Sequence, residues 1–187
     1  MNSYKNSLCL DAVRRLCQER GVVRTYQKGE FFVQQGAVSS EIAFVEYGYF
    51  QYVVNGAQQN SYITGFAFQQ EFVADYPRCL YGQVSDVSIQ CAASAKVYLL
   101  KASLLLDFYL QSMENAHLGR MIAEQIFLQT YAQLCSLYVQ TPAERYRSLL
   151  LRCPQIVQQI SLKEMASFLR VTPTTVSAIR RKITFDD

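Results

Sequence analysis

Leu162-Lys-Glu-Met-Ala166-Ser-Phe-Leu-Arg170-Val-Thr172-Pro-Thr-Thr-Val176-Ser-Ala-Ile179-Arg-Arg-Lys182 is the stretch on which the reading of this chain turns. Its apolar residues recur at helical spacing on either side of a short polar break, so it reads as two short helices joined by a tight turn. Ala166 is small where the two helices must approach. Val176 and Ile179 are spaced to face back onto the first helix. Thr172 before Pro173 has the pattern of an N-cap with proline at the first helical position, where the missing N–H costs nothing. The turn residue, Arg170, is expected in the left-handed region, where glycine is usual and a side chain costs on the order of 1 kcal/mol. The remaining positions are polar or basic. This layout predicts a helix-turn-helix, whose second helix lies in the DNA major groove.

A helical hairpin inside a bundle produces the same apolar spacing, and a run such as Arg180-Arg181-Lys182 can be a solvated helix end. Charge separates the two readings. Residues 1–138 carry ten Lys or Arg and eleven Asp or Glu, whereas residues 139–187 carry eight and four. The basic excess therefore lies in the segment that would meet phosphates. It is modest, and it leaves open a helical pair that does not read DNA.

Moving upstream, Ser161-Leu-Lys-Glu164 and Thr141-Pro-Ala-Glu144 are capping boxes, the second with proline at N1. The helix opened by Thr141 is expected to run to Arg152 and to stop before Pro154. Residues 102–138 contain no proline and one glycine, Gly119, and predict a single long helix. Along it Met121, Leu128 and Cys135 recur every seven residues, as do Glu124, Tyr131 and Tyr138, while Leu110, Phe127 and Leu134 can pack on another side. More than one apolar face needs more than one partner. A long helix buried within a monomer is the alternative to self-association; we expect a homodimer seam with Met121, Glu124, Leu128, Tyr131 and Cys135 at or near the two-fold axis.

From about residue 22 to 101 the pattern changes to short runs rich in aromatic and β-branched residues: Phe31–Val33, Ile42–Val45, Tyr49–Val54, Val87–Cys91 and Lys96–Leu100. Turn signals separate them at Lys28-Gly29-Glu30, Gln35-Gly36, Tyr47-Gly48 and Asn55-Gly56, the last being a strong hairpin signal. Many short strands at this spacing predict a β-barrel or jelly roll. Residues 3–20 read as a helix with Leu8, Val13, Leu16 and Cys17 near one face and Gly21 as its stop.

Composition excludes several classes. Half of the 187 residues are hydrophobic, so the chain has a real core. Its apolar runs are far too short for a membrane span, and no apolar signal-peptide core follows Met1, which predicts a cytoplasmic protein. The six cysteines, Cys9, Cys17, Cys79, Cys91, Cys135 and Cys153, include no CxxC spacing, and His117 is the one histidine. No zinc site, disulfide framework or cofactor is expected. No nucleophile–base pair is visible, and one histidine cannot build a cupin-type metal site, so an enzyme is not expected.

The order helix, β-roll, long helix, helix-turn-helix resembles the Crp/Fnr (cAMP receptor protein) family of bacterial transcription regulators over nearly the whole chain. The resemblance is carried by Lys28-Gly29-Glu30, Gln35-Gly36, the strand–Gly48–strand element and Phe72-Val-Ala-Asp-Tyr76. It continues in Thr141-Pro-Ala-Glu-Arg-Tyr146, Ser161 through Ala166, and Val171-Thr172-Pro173 through Ser177-Ala-Ile-Arg180. The Ala-Glu-Arg-Tyr and Thr-Pro-Thr-Thr-Val-Ser forms look most like the short Crp-like regulators of Bacteroidetes. The resemblance implies an α+β chain: a cyclic-nucleotide-binding-like β-roll sensor over 1–101, a dimerisation helix over 102–138, and a DNA-binding helix-turn-helix over 139–187 without a wing. It implies a homodimer on double-stranded DNA, with RNA polymerase and a small-molecule effector as further partners. Thr172, Thr174, Thr175, Ser177, Arg180, Arg181 and Lys182 are the candidate DNA contacts. Thr174, Thr175 and Ser177 face bases, and Arg180, Arg181 and Lys182 face phosphates.

Two departures from the family pattern are visible. Glu71, Phe72 and Ser85 stand where relatives hold a cyclic nucleotide, but no glycine precedes Glu71 and no arginine precedes Ser85. A buried phosphate would lack its charge-assisted partner, worth roughly 1.5–3 kcal/mol per bond, so another small molecule or none is expected. In the second helix Ala178 occupies the place of an arginine that reads guanine in many relatives. The alternative to a DNA reader is a ligand-binding or protein-interaction module whose helix-turn-helix is degenerate. Calorimetry with cAMP and cGMP should give dissociation constants weaker than roughly 10 μM, about −7 kcal/mol. Tighter binding would mean that another group neutralises the phosphate.

Overall fold

The computed structural model describes residues 10–56 and 60–186. The chain divides between residues 126 and 127 into two compact units. The first contains α1 (Asp11–Arg20), six strands and α2 (Ala102–Leu110). The second contains α4 (Pro142–Arg152), α5 (Ile156–Gln159), α6 (Leu162–Leu169) and α7 (Pro173–Asp186). The helix α3 (Met113–Val139) crosses the division.

The strands are β1 (Val22–Tyr26), β2 (Phe31–Val33), β3 (Glu41–Asn55), β4 (Ser61–Ala67), β5 (Phe72–Val73) and β6 (Ser88–Lys101). The spine of the sheet is the antiparallel pair β3 and β6, from Glu41 opposite Lys101 to Val53 opposite Ser88. Each spine strand changes partner along its length. The last residues of β6 pair with β1 and the first with β2; the first residues of β3 pair with β5 and the last with β4. Two half-sheets thus share one spine, which makes a roll. Between them lie Tyr26, Val33, Val45, Phe50, Ala67, Val73, Ile89, Cys91 and Val97, with Phe32 and Tyr52 at the margin. Tyr26, Phe32 and Phe50 meet at ring distances of 5.4–6.2 Å, in the tilted and edge-on arrangements that aromatic quadrupoles favour.

The four runs expected as separate strands in this spine are two continuous strands. The turn signal at Tyr47-Gly48 is a bulge. The register between β3 and β6 shifts at Val45/Tyr47, Tyr47/Tyr49 and Tyr49/Phe50. There Gly48 takes φ +84°, and a Cβ on it would lie 2.5 Å from the Ser94 carbonyl oxygen and 2.6 Å from Ala95 Cβ. Glycine is needed at this point both for its backbone angle and for the close approach of β6. The β3–β4 hairpin lies at the expected place, with Asn55 opposite Ser61. Its loop is longer than a two-residue Asn-Gly turn: the Gly56 N–H donates to the Asn60 carbonyl at 2.8 Å.

A second core cluster joins Val13 and Cys17 of α1 to Ile42, Phe44 and Leu100 of the spine, to Leu105 and Tyr109 of α2, and to Ile122 of α3. Within the helix expected over residues 3–20, Asp11–Arg20 is helical, and Leu8 and Cys9 lie outside the described residues. The single helix expected over 102–138 is two. Between them the Ser112 hydroxyl accepts the Asn115 N–H at 3.1 Å, and the Asn115 side-chain amide donates to the Phe108 carbonyl at 2.9 Å. Both exposed helix ends gain a side-chain partner there, so the chain breaks without glycine or proline. Burial pushes the Cys17 and Cys79 thiols up to about 12 and the Cys91 thiol up to about 11, which keeps them neutral core groups.

Gly48→Ala should lower the unfolding free energy by about 2–3 kcal/mol, the range for backbone strain combined with a clash. Urea denaturation of the variant checks this, and an unchanged midpoint would show that the bulge yields freely.

Candidate nucleic-acid interface

The second unit is assembled from local signals. The Thr141 Oγ1 accepts the Glu144 N–H at 3.3 Å while Glu144 Oε2 accepts the Thr141 N–H at 2.7 Å. Ser161 and Glu164 repeat the arrangement at 3.2 and 2.6 Å. Each capping box satisfies two backbone donors, and the first holds the Glu144 carboxyl below the usual carboxylate range by hydrogen bonds from Thr141. Tyr146, Leu149, Ile156, Ile160, Met165, Ala166, Phe168, Leu169 and Val176 are buried. Each of α4, α5, α6 and α7 contributes at least one of these side chains, and α6 packs against both α4 and α7.

Helix α6 ends in a Schellman motif. The Val171 N–H donates to the Ala166 carbonyl at 3.0 Å and the Arg170 N–H to the Ser167 carbonyl at 3.1 Å. Arg170 has φ 56° and ψ 48°, left-handed as the sequence predicts. Helix α7 then starts at once: the Thr175 N–H donates to Thr172 Oγ1 at 3.1 Å, with Pro173 between them. Three residues, Arg170 to Thr172, make the whole turn.

The position of α6 is set by Arg145 of α4. Its Nη1 donates to the Gln140 carbonyl just past α3 at 2.7 Å, and its Nη2 to the Leu169 carbonyl at the end of α6 at 2.9 Å. One guanidinium thus sits on the negative ends of two helices. Sequence reasoning recognises Arg145 as part of a pattern but not this bond pair, because both acceptors are backbone atoms whose place depends on the fold.

The residues singled out in α7 separate into two faces. Val176 is fully buried, and Ile179 and Arg180 are half-buried. The Arg180 Nη2 lies 3.4 Å from the Met165 sulfur, so this side chain leans on α6. Thr174, Ala178, Arg181 and Lys182 are exposed, and Thr175 and Ser177 are half-buried. Thr174, Ser177, Ala178 and Arg181 follow at i, i+3, i+4 and i+7, which makes one outward ridge. Thr172 is exposed, and its hydroxyl is shared with Thr175 Oγ1 at 2.8 Å.

The residues considered for a small molecule in the β-roll have local partners. Glu71 Oε2 accepts the Phe68 N–H at 2.9 Å, closing a turn in which Gln70 takes φ 66°. Phe72 packs on Phe44, with ring centroids 5.4 Å apart. The Ser85 hydroxyl donates to the Val87 carbonyl at 2.7 Å. Glu71 and Phe72 lie beside Val45 and Phe44, whereas Ser85 pairs with Gly36 and Ala37. Among the described residues, no cluster of His, Cys, Asp and Glu is arranged to hold a metal, and no helix is long and apolar enough to cross a membrane.

Replacing Arg145 by Met keeps its apolar stem and removes both bonds to carbonyl oxygens. The loss of unfolding free energy should be about 2 kcal/mol or more, since hydrogen bonds to a charged group are worth about 1.5–3 kcal/mol each. Chemical denaturation measures it, and a neutral Met variant would show that α6 is held without the clamp.

No protein-family model matches this sequence, and no curated protein does. Solved structures match strongly. FixK2 from Bradyrhizobium japonicum is 17% identical with a TM-score of 0.78, covering 89% of this chain and 85% of its own. The c-di-GMP-responsive global regulator CLP from Xanthomonas campestris is 13% identical with a TM-score of 0.67, covering 95% and 93%. A crp/fnr-family protein from Eubacterium rectale is 13% identical with a TM-score of 0.68, covering 100% and 89%. At such identities the likeness speaks for architecture alone: this chain has the fold of the Crp/Fnr regulators.

Proposed function

We propose that this chain is a transcription regulator that pairs along α3 and reads double-stranded DNA with α7, the β-roll serving as its sensor-type domain. The observation that carries the reading is the α6–α7 pair. A three-residue turn, a capped second helix and an outward ridge of small polar and basic side chains are what a helix-turn-helix needs to enter a major groove. The Crp/Fnr fold adds support, because it puts this pair in the company of known regulators.

Pairing is supported by the surface of α3. Phe127, Leu128, Tyr131, Leu134 and Tyr138 are exposed, Tyr138 to 82%. Met121 and Cys135 are half-buried, and Glu124 is exposed and lies 3.6 Å from Arg120. The seven-residue recurrence matches a coiled-coil seam, and an apolar stripe of this kind marks a surface that another molecule covers. A two-fold pair would present two α7 helices to two half-sites. Arg181 and Lys182 face the phosphates in this reading, while Arg180 holds α7 against α6. No effector is assigned to the β-roll, where Glu71 and Ser85 serve local turns.

Light scattering at tens of micromolar, a range matched to ordinary dimer affinities, should give a dimer, and Leu128→Glu should give monomers. Electrophoretic titration of genomic fragments at two salt concentrations should show binding that weakens as salt rises. Arg181→Ala should make the salt slope shallower by roughly 0.9 for each phosphate that the arginine neutralises. Arg180→Ala should act mainly through stability. Absence of binding to any duplex at low salt would replace this reading with an interaction module whose helical pair does not read DNA.

A further inference from the structure

Resting on the reading of α7 as a DNA reader, we propose that it selects thymine through the 5-methyl group, and that its half-sites are therefore rich in T·A pairs rather than in guanine. The ridge facing outward from α7 carries Thr174, Ser177 and Ala178 before its first long side chain, Arg181. The N-terminal half of a recognition helix is the part that meets base edges. There this ridge has no Arg or Lys to pair with guanine, no Asn or Gln to pair with adenine, and no Asp or Glu to accept from cytosine. Serine and threonine hydroxyls accept or donate to any base and discriminate little. The Ala178 methyl and the Thr174 methyl do discriminate, because thymine alone presents an apolar group in the major groove.

Two further observations keep guanine-reading groups away from the N-terminal half of this ridge. Arg180 leans on Met165, on the far side of the helix. Arg181 is seven residues beyond Thr174, about 10 Å along the helix axis, which suits a phosphate better than the same base pair. Small side chains also let the helix backbone approach the groove floor closely. Residues at i and i+4 have Cβ atoms about 5–6 Å apart, so Thr174 and Ala178 reach thymines within about two base-pair steps of one another, at about 3.4 Å per step.

The test uses the full chain and a random duplex library, selected at fixed salt, followed by the best site remade with deoxyuridine in place of single thymidines. This exchange removes one methyl and nothing else. We expect selected sites to carry thymine at the read positions, and each critical exchange to weaken binding about fourfold, the worth of one buried methyl-sized group, with the salt slope unchanged. A cytosine placed at such a position should gain affinity on 5-methylation. Thr174→Ser, which deletes only a protein methyl, should erase the deoxyuridine penalty at one thymine, and Ala178→Gly, with folding checked by circular dichroism, at the other. Selected sites with guanine at these positions, or tight binding that ignores deoxyuridine, would overturn the inference and leave α7 a DNA reader of another kind. Absence of binding to any duplex at low salt would instead remove the DNA reading itself, and this inference with it.

Discussion

The arrangement of the second unit depends on one guanidinium. Arg145 holds the carbonyl of Gln140 behind α3 and the carbonyl of Leu169 at the end of α6. The residue after Leu169 is the left-handed Arg170, and two residues further on Thr172 caps α7. The direction in which α7 leaves is therefore tied, through a few rigid backbone atoms, to a side chain on α4. Cations are favoured at helix C-termini by the unpaired carbonyl groups there, and here two such ends converge on one cation. A lysine could not replace it, because a point charge on a flexible stem lacks the fork that reaches both oxygens at once.

The β-roll rests on the opposite device, a missing side chain. At Gly48 the spine needs space and an unusual backbone angle together, and the neighbouring strand fills the space with Ala95. Large aromatic groups then fill the fold, with Phe50 buried against Tyr26 and Phe32. The turn at Phe68–Glu71 is overdetermined in a similar way. Gln70 accepts a left-handed angle because Val45 holds the backbone on both sides of it: the Gln70 N–H donates to the Val45 carbonyl at 2.8 Å, and the Val45 N–H to the Glu71 carbonyl at 2.9 Å. Strain of this kind, of order 1–3 kcal/mol, persists only where the surroundings enforce it.

What the sequence makes legible is what short-range chemistry decides. Both capping boxes, the left-handed Arg170, the N-cap at Thr172 and the inward Val176 are readable, because each depends on residues three or four apart. The break at Ser112 is not, because it rests on serine and asparagine side chains rather than on glycine or proline. The continuity of β3 is not, since a bulge glycine and a turn glycine look alike until the partner strand is known. The lean of Arg180 onto Met165 is a tertiary contact, and a run of three basic residues hides it. In the β-roll, the local hydrogen bonds of Glu71 to Phe68 and of Ser85 to Val87 likewise emerge only from the folded backbone.

The pairing of β3 with β6 also bears on how the chain comes together. Glu41 and Lys101 are neighbours in the sheet but sixty positions apart along the chain. Closing so long a loop costs entropy before any contact repays it, and folding slows as such separations dominate. The second unit has no comparable debt, since the clamp from Arg145 to Leu169 spans only 24 positions. Its helices should assemble early in refolding, while the roll waits for its two longest strands to meet.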